Sequence, residues 1–235
     1  MSAAPGASAG LPDQARVALS IVLELLAHDR HAPSAVRDPE RAWRVHVADA
    51  LTGLEVRALA AARRIADVGA GAGFPGLPLA AVLAEARVDL IESSGRKCNF
   101  MRRAIEQAGI RNARVVCERS ESFAAGRPPE GGRETYDAVT ARAVGRLSTL
   151  AELASPLLTE GGVLVAWKGR RDPDEEAELE RAAGRLAMEP VEIRWVGPFA
   201  GSRHRHLHVM RKRGPTPARL PRRPGVAKKR PEGRR

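Results

Sequence analysis

Residues 65–76 read Ile-Ala-Asp-Val-Gly-Ala-Gly-Ala-Gly-Phe-Pro-Gly, a short apolar run that leads directly into closely spaced glycines. Gly69, Gly71 and Gly73 allow the backbone to turn sharply and to approach a ligand without an intervening Cβ. A helix that begins near Gly76 would point its first N–H groups at the same place. The stretch therefore predicts a strand, a glycine-rich turn and a helix that bind a nucleotide cofactor; a turn used only for packing is the alternative.

The spacing of the glycines bears on which cofactor binds. A GxGxxG register exists at Gly71, Gly73 and Gly76, so the pattern alone does not exclude a dinucleotide. In a dinucleotide site, however, the first glycine follows the strand at once, which here is Gly69. In that register Phe74 replaces the third glycine, and the proline after it lacks an N–H where a pyrophosphate would sit. The turn is therefore a poor dinucleotide site.

Two acidic residues favour S-adenosylmethionine over NAD or FAD. Asp67, just before the turn, would repel a pyrophosphate but suits the cationic methionine end of S-adenosylmethionine. Glu92 ends the second predicted strand, roughly 20 residues after Gly69, where an acidic side chain holds ribose hydroxyls. We therefore predict S-adenosylmethionine as the cofactor.

Short apolar runs alternate with helix-length amphipathic stretches between Arg64 and Lys212. This alternation is typical of βαβ units around a parallel sheet. The last two predicted strands have no helix between them, so they should pair antiparallel. We predict an α/β, Rossmann-like fold of the class I methyltransferase type, with a mostly parallel seven-stranded sheet, a C-terminal antiparallel hairpin and a helical N-terminal cap. The predicted strands are Ile65–Val68, Val88–Ile91, Arg114–Val116, Ala138–Ala141, Val163–Trp167, Ile193–Val196 and Leu207–Met210, and the predicted helices of this region are Leu77–Ala84, Arg96–Ala108, Leu147–Leu157 and Glu175–Leu186.

Composition divides the chain into four segments. Small residues and proline predict a disordered lead over 1–12, and two amphipathic patterns predict a helical cap over 13–63. The Rossmann-like domain follows over 64–212. Proline, glycine and basic residues predict a disordered tail over 213–235, separate from the cofactor site. The predicted apolar helix faces in the cap are Val17, Ala18, Ile21, Val22, Leu25 and Leu26, and Trp43, Val47, Ala50, Leu51 and Leu54.

Overall composition fits one catalytic domain in a reducing compartment. Apolar residues make up 43% of the 235, enough for a packed core, whereas only 3% are aromatic. That aromatic share disfavours an RNA-binding module built on stacking rings. Cys98 and Cys117 stand apart without a CxxC pair, and no apolar run approaches the ~18 residues of a membrane span. We expect a cytoplasmic protein with no membrane partner.

The net charge of +11 is concentrated at the C-terminus. Residues 211–235 contain eleven Lys and Arg against one acid, Glu232. A concentrated positive charge predicts a polyanionic partner, here nucleic acid, although a tail that is merely solvated is the alternative.

The glycine turn, read with Leu90-Ile-Glu-Ser-Ser-Gly-Arg-Lys-Cys-Asn-Phe-Met101, resembles the RsmG (GidB) family of bacterial 16S ribosomal RNA methyltransferases. The resemblance extends over roughly residues 35–231. Where the family usually has Asn-Leu-Thr, this chain has Ala32-Pro-Ser34, so either the RNA contact of that loop differs or the chain is a divergent member. The other similar segments are Val36–Pro39, His46–Leu51, Thr140–Ala143, Ala166–Gly169, Arg205–Leu207 and the tail Pro221–Pro231.

The resemblance implies S-adenosylmethionine-dependent methylation of guanine N7 in the decoding region of 16S ribosomal RNA. The partner it implies is that RNA or the small ribosomal subunit, and no DNA. By position it places cofactor contacts at Gly69, Phe74, Ser120, Glu121 and Arg142. Phe74 could cover the adenine or methionine portion, and Glu121 could accept from the adenine amine. With the residues argued above, the predicted cofactor-binding set is Asp67, Gly69, Gly71, Gly73, Phe74, Glu92, Ser120, Glu121 and Arg142.

Guanine N7 carries a lone pair and no proton at neutral pH, so methyl transfer to it needs no general base. Alignment of the reactants and removal of water then supply most of the rate. Arg142, Lys168 and Arg205 each lie near the carboxyl end of a predicted strand, or in a loop beside one, and form the predicted catalytic set. A cation that donates to O6 while N7 faces the methyl group is the expected arrangement.

Three histidines alternate near the last predicted strand. Side chains at i and i+2 on a flat strand rarely converge on one ion, so His204, His206 and His208 predict a polar face near RNA, and we predict no metal site. Two rival functions stay open: an RNA-binding member of the fold that no longer catalyses, and a methyltransferase that acts on another RNA, a protein or a small molecule.

Overall fold

Seven strands form a single sheet in the computed structural model of the protein, which describes residues 10–30 and 32–234. Each overlaps one of the seven predicted strands. They are β1 (Arg64–Val68), β2 (Arg87–Ile91), β3 (Ala113–Val116), β4 (Tyr136–Arg142), β5 (Leu158–Lys168), β6 (Met188–Trp195) and β7 (His206–Lys212).

The strand order is β3-β2-β1-β4-β5-β7-β6. Strands β1 to β5 pair in parallel, and β7 lies antiparallel between β5 and β6. This confirms the predicted fold class, including the C-terminal antiparallel hairpin. The order reverses between β1 and β4, and ligands of open α/β sheets bind at the carboxyl ends of the strands beside such a reversal.

Helices cover both faces of the sheet. Leu19, Leu77 and Phe100 pack in the core on one face, and Leu150 and Leu179 pack in the core on the other. The helices are α1 (Asp13–His28), α2 (Pro39–Ala42), α3 (Asp49–Leu51), α4 (Arg57–Ala60), α5 (Gly76–Val82), α6 (Gly95–Ala108), α7 (Ser120–Ala125), α8 (Leu147–Ala154), α9 (Pro173–Ala183) and α10 (Val226–Lys229).

The second helix predicted for the cap is not one regular helix. A π-helical turn over Trp43–Ala48 follows α2, and a 3-10 turn over Thr52–Glu55 follows α3. Single π turns occur often at functional sites because they rotate the residues that follow. Val47 and Ala50 are buried as predicted, whereas Val17, predicted on the apolar face of α1, is 59% exposed.

The C-terminal tail contradicts the prediction of a disordered segment, since residues 213–234 pack against the domain. Leu220 and Ala227 are buried, and the Arg222 guanidinium pairs with the buried carboxylate of Glu152. Polar anchors of this kind hold a proline-rich segment that has few large apolar residues, which composition did not reveal. We call residues 220–233 the strap.

Of the predicted disordered lead, only residues 10–12 belong to the described part of the chain, and Leu11 packs against the core. Across residues 10–30 and 32–234, every helix is too short or too polar to cross a membrane.

Candidate active site

Asp67 fixes the glycine turn to the sheet from below. Its Oδ2 accepts from the N–H of Gly76 at 2.9 Å, and its Oδ1 accepts from the Thr140 hydroxyl at 3.0 Å. Complete burial raises the pKa of Asp67 to about 7. The carboxyl group therefore organises the turn, and its contact with the cationic end of a cofactor stays a prediction.

The three glycines of the turn do different things. Gly69 lines a cavity and has a φ of +69°, and a Cβ there would come within 2.7 Å of Val144 Cγ2. Gly71 donates its N–H to Glu92 Oε2 at 3.2 Å. Gly73 packs against Leu77 beneath the turn. Only Gly69 of the three lies in the wall of the cavity.

This first cavity, about 290 Å³, lies at the carboxyl ends of β1 to β4. It brings together Gly69, Glu92, Ser120 and Glu121 from the predicted cofactor-binding set. The lining residues that sequence reasoning missed include Lys97, Glu118, Arg119, Val144, Gly225, Ala227 and Lys228.

Glu92 is held rigidly at the end of β2. Its Oε1 accepts from the N–H of Ser94 at 2.9 Å while Oε2 accepts from Gly71, and Lys97 Nζ lies 3.7 Å from Oε2. A carboxylate oriented by two backbone N–H groups is suited to accept from ribose hydroxyls, as the sequence predicts.

The strap forms one wall of the first cavity. The N–H of Gly225 donates to Glu121 Oε1 at 2.7 Å, and the Thr149 hydroxyl donates to the carbonyl of Ala227 at 3.2 Å. Lys228 also lines the cavity. The sequence predicted a tail separate from the cofactor site, but the strap forms part of this cavity, and Glu121 accepts a hydrogen bond from the strap.

A second cavity of about 200 Å³ adjoins the first and contains all three predicted catalytic residues. Arg142, Lys168 and Arg205 line it together with Asp49, and Ala143 lines both cavities. The sheet brings these side chains together because β4, β5 and β7 are neighbours that end or begin at the same edge.

Each of the three cations has an anchor. Arg142 lines the second cavity, donates to Asp49 Oδ2 at 3.0 Å and is 17% exposed, and its contact with the cofactor stays a prediction. Lys168 Nζ donates to Glu175 Oε1 at 2.7 Å and to the Gly145 carbonyl at 3.1 Å. Arg205 is the most exposed of the three, at 41%, and its Nε lies 3.8 Å from Asp49 Oδ1.

Phe74 connects the glycine turn to the helical cap. Its buried ring stacks on His46 with centroids 4.7 Å apart, and the Arg142 guanidinium lies 5.7 Å from its centroid. Burial, with a smaller contribution from Arg142, lowers the pKa of His46 to about 4, so the imidazole is neutral at pH 7. Phe74 lines neither cavity, and its contact with the cofactor stays a prediction.

Asp49 is the main functional candidate that sequence reasoning missed. It belongs to α3, directly after the π-helical turn, and it is 4% exposed at the floor of the second cavity. His46 and Asp49 are three residues apart, a spacing that places two side chains on one helical face. That spacing was visible in the sequence, but nothing there indicated which strand the face meets.

The three alternating histidines do not share one strand face. His204 precedes β7, His206 Nδ1 lies 2.9 Å from the Gly169 carbonyl, and His208 is buried. In residues 10–30 and 32–234, no three His, Cys, Asp or Glu side chains come together as metal ligands.

Comparison with known sequences gives one consistent result. The profile of the family described as rRNA small subunit methyltransferase G (GidB) matches residues 22–207. The chain is 41% identical over 213 residues to ribosomal RNA small subunit methyltransferase G of Rubrobacter xylanophilus, covering 89% of this chain and 80% of the relative. It is 45% identical over 170 residues to the protein of that name from Roseiflexus sp., covering 70% and 69%.

Solved structures agree on the fold. Cofactor-bound Rv0187 from MTB matches with a TM-score of 0.54 and 18% identity, covering 88% of this chain and 93% of that one. A SAM dependent methyltransferase from Aquifex aeolicus matches with a TM-score of 0.51 and 17% identity, covering 74% and 94%. Family and fold together establish a methyltransferase whose cofactor is S-adenosylmethionine, which confirms the cofactor prediction. The first cavity suits that cofactor, since it offers a rigid carboxylate, a hydroxyl and a glycine-lined wall.

Proposed function

The chain belongs to the rRNA small subunit methyltransferase G family, and from this premise we propose that it methylates N7 of a guanine in 16S ribosomal RNA. Its substrate is that RNA, free or within the small ribosomal subunit, in the cytoplasm. The observation that carries the proposal is the second cavity, where Arg142, Lys168 and Arg205 converge directly beside the first.

The first cavity would hold the cofactor through the residues predicted and observed there. Glu92 would accept from the ribose hydroxyls, and the loop with Ser120 and Glu121 would border the adenine. The backbone at Gly69 would lie closest to the ligand, because no side chain stands on that residue. S-adenosylmethionine, when bound, supplies an electrophilic methyl group on a sulfonium.

The second cavity suits a guanine. Guanine presents O6 and N7 as neighbouring acceptors, and cationic side chains are their usual partners. Donation from Arg142, Lys168 or Arg205 to O6 would hold the base while leaving the N7 lone pair free to react. Because N7 carries no proton at neutral pH, the cavity needs to supply orientation and exclude water, but no base.

Exposed cations on the strap form a positive surface beside the first cavity. Lys228, Lys229 and Arg230 all lie on the exposed side of α10 or directly after it. Such a surface attracts a phosphate backbone and fits an RNA substrate.

The test is methyl transfer from radiolabelled S-adenosylmethionine into small ribosomal subunits isolated from a strain that lacks this modification. Large subunits and free ribosomal proteins serve as controls. We expect the label in small-subunit RNA, recovered as 7-methylguanosine after digestion to nucleosides. Label in protein, or in another nucleoside, would refute the proposal.

A further inference from the structure

Asp49 is fixed in place by three elements. Its Oδ2 accepts from Arg142 at 3.0 Å, and its backbone carbonyl accepts from the Trp167 indole N–H at 2.8 Å. Its backbone carbonyl also accepts from the hydroxyl of Thr52, at 2.7 Å. The side chain therefore has little freedom to turn away from the second cavity.

The other carboxylate oxygen of Asp49 is buried without a hydrogen bond. Within residues 10–30 and 32–234, Oδ1 has no hydrogen-bond partner, although it belongs to a side chain that is only 5% exposed. Buried acceptors are nearly always hydrogen-bonded, so a vacant one in a cavity indicates a missing donor. Arg205 Nε lies 3.8 Å from Oδ1, beyond hydrogen-bonding distance, and the Arg205 side chain is 41% exposed, so a bound base can displace it.

We propose that Asp49 selects guanine over adenine by accepting, at Oδ1, from the N1–H and 2-amino group of the target base. This inference rests on the proposed function, since it takes guanine as the methylated base. Guanine carries those donors on its Watson–Crick edge, whereas adenine has an acceptor at N1 and no 2-amino group. The cavity then contacts one base on two sides. Its three cations lie near O6, and the Asp49 carboxylate lies near the N1–H and the 2-amino group.

The alternative role for Asp49 is to neutralise Arg142 and nothing more. The substitution Asp49→Asn separates the two roles. Arg142 has only donors, so the amide oxygen must stay on Arg142 and the amide NH2 must take the position of Oδ1. The variant thus replaces an acceptor by a donor at the vacant position while it keeps the size and the Arg142 contact.

The experiment measures the binding of small ribosomal subunits in the presence of S-adenosylhomocysteine, so that no methyl group is transferred. Subunits with guanine at the mapped acceptor position compete against subunits in which that guanine is mutated to adenine. We expect the native protein to prefer guanine at least tenfold and Asp49→Asn to reduce the preference to within about twofold, or to reverse it. Affinity for S-adenosylhomocysteine, measured by calorimetry, should not change, because Asp49 does not line the first cavity.

Glu40→Gln is the matched control, since it makes the same change on an exposed carboxylate of the same helical cap. It should leave the guanine preference intact. If Asp49→Asn binds both subunits more weakly by the same factor, Asp49 is only a partner of Arg142 and the inference is wrong.

A second arm does not depend on the folding of the variant. Subunits reconstituted with inosine at the acceptor position keep O6 and N7 but lack the 2-amino group, and the native protein should bind them several-fold more weakly. Equal binding of guanine, inosine and adenine would overturn the role of Asp49. If the native protein methylates no guanine at all, the proposed function fails first and the inference fails with it.

Discussion

The two cavities share a border at Ala143 but are built differently. The first is lined by a mixed set of charges from the loops after β1, β2 and β3, and it is completed by the C-terminal strap. The second gathers three cations around one buried carboxylate, and it is completed by Asp49 from the N-terminal cap. Each terminal segment of the chain therefore finishes one cavity.

This difference allows cofactor affinity and recognition of the target base to be measured separately, whereas an activity assay alone would combine them. Changes in the glycine turn, or in the strap residues that form the wall of the first cavity, should act on cofactor affinity, because these residues do not line the second cavity. Changes at the ends of β4 and β5, or in the cap, should act on the target base. The variants below test that separation.

The largest expected effect is at Gly69. In Gly69→Val the new side chain would collide with Val144. A β-branched residue at a positive φ is also strained. We expect calorimetry to show S-adenosylmethionine affinity at least about 100-fold lower in the folded variant. Gly161→Val is the control, since Gly161 also has a positive φ but faces open space. If both variants lost the same cofactor affinity, backbone strain would explain the effect and the space at Gly69 would not.

The anchor of the strap comes next. Arg222→Ala removes the partner of Glu152, whose carboxylate is 2% exposed, and leaves a buried charge unpaired. The strap should then leave the first cavity, and S-adenosylmethionine should bind roughly tenfold more weakly. Arg222→Lys should restore part of the affinity, and the neighbouring exposed Arg223→Ala should have no effect. Unchanged cofactor affinity in a chain shortened to residues 1–213 would show that the strap does not contribute.

Lys168 tests the second cavity. We expect Lys168→Ala to lower methyl transfer at least tenfold, or roughly 1.4 kcal/mol in the barrier, with cofactor affinity within about a factor of two. The reason is that Lys168 lines the second cavity and not the first. Parallel losses of transfer and cofactor affinity would instead assign Lys168 to the cofactor.

The smallest effect concerns the exposed cations of the strap. Each phosphate contact changes the slope of log affinity against log salt by about 0.7 to 0.9. The double variant Lys229→Ala/Arg230→Ala should therefore flatten that slope for RNA by roughly 1.5. Arg219 and Arg222 contribute less than their charges suggest, because both pair with carboxylates of the protein. An identical slope would mean that these two cations do not contact RNA.

The sequence predicted what local patterns determine. Apolar runs ahead of Gly69 and Glu92 specified the strands. Because the carboxyl ends of parallel strands meet at one edge, the sequence also indicated that Lys168 and Arg142 lie close together, and both line the second cavity. The fold class, the cofactor and the pairing of β6 with β7 all follow from such patterns.

What the sequence could not supply depends on how distant segments return to the sheet. Asp49 lines the second cavity directly after a π turn, and helical periodicity does not reveal such a turn. The composition of the strap predicts disorder, yet Arg222 binds a buried carboxylate that lies 70 residues away in the sequence. Asp67 and Phe74 were predicted to bind the cofactor from their positions, and the sequence did not reveal that Asp67 also binds the Gly76 N–H and that Phe74 also stacks on His46.

The most direct test of the division between the two cavities is amide hydrogen exchange on the intact chain, with S-adenosylmethionine alone and then with S-adenosylhomocysteine and small subunits. The cofactor should slow exchange around Gly69, Glu92, Glu121 and the strap at Gly225. Subunits should add protection around Asp49 and in the segments at 142–143, 168–169 and 205–206. Cofactor protection confined to the second set, or absent from the strap, would contradict the assignment.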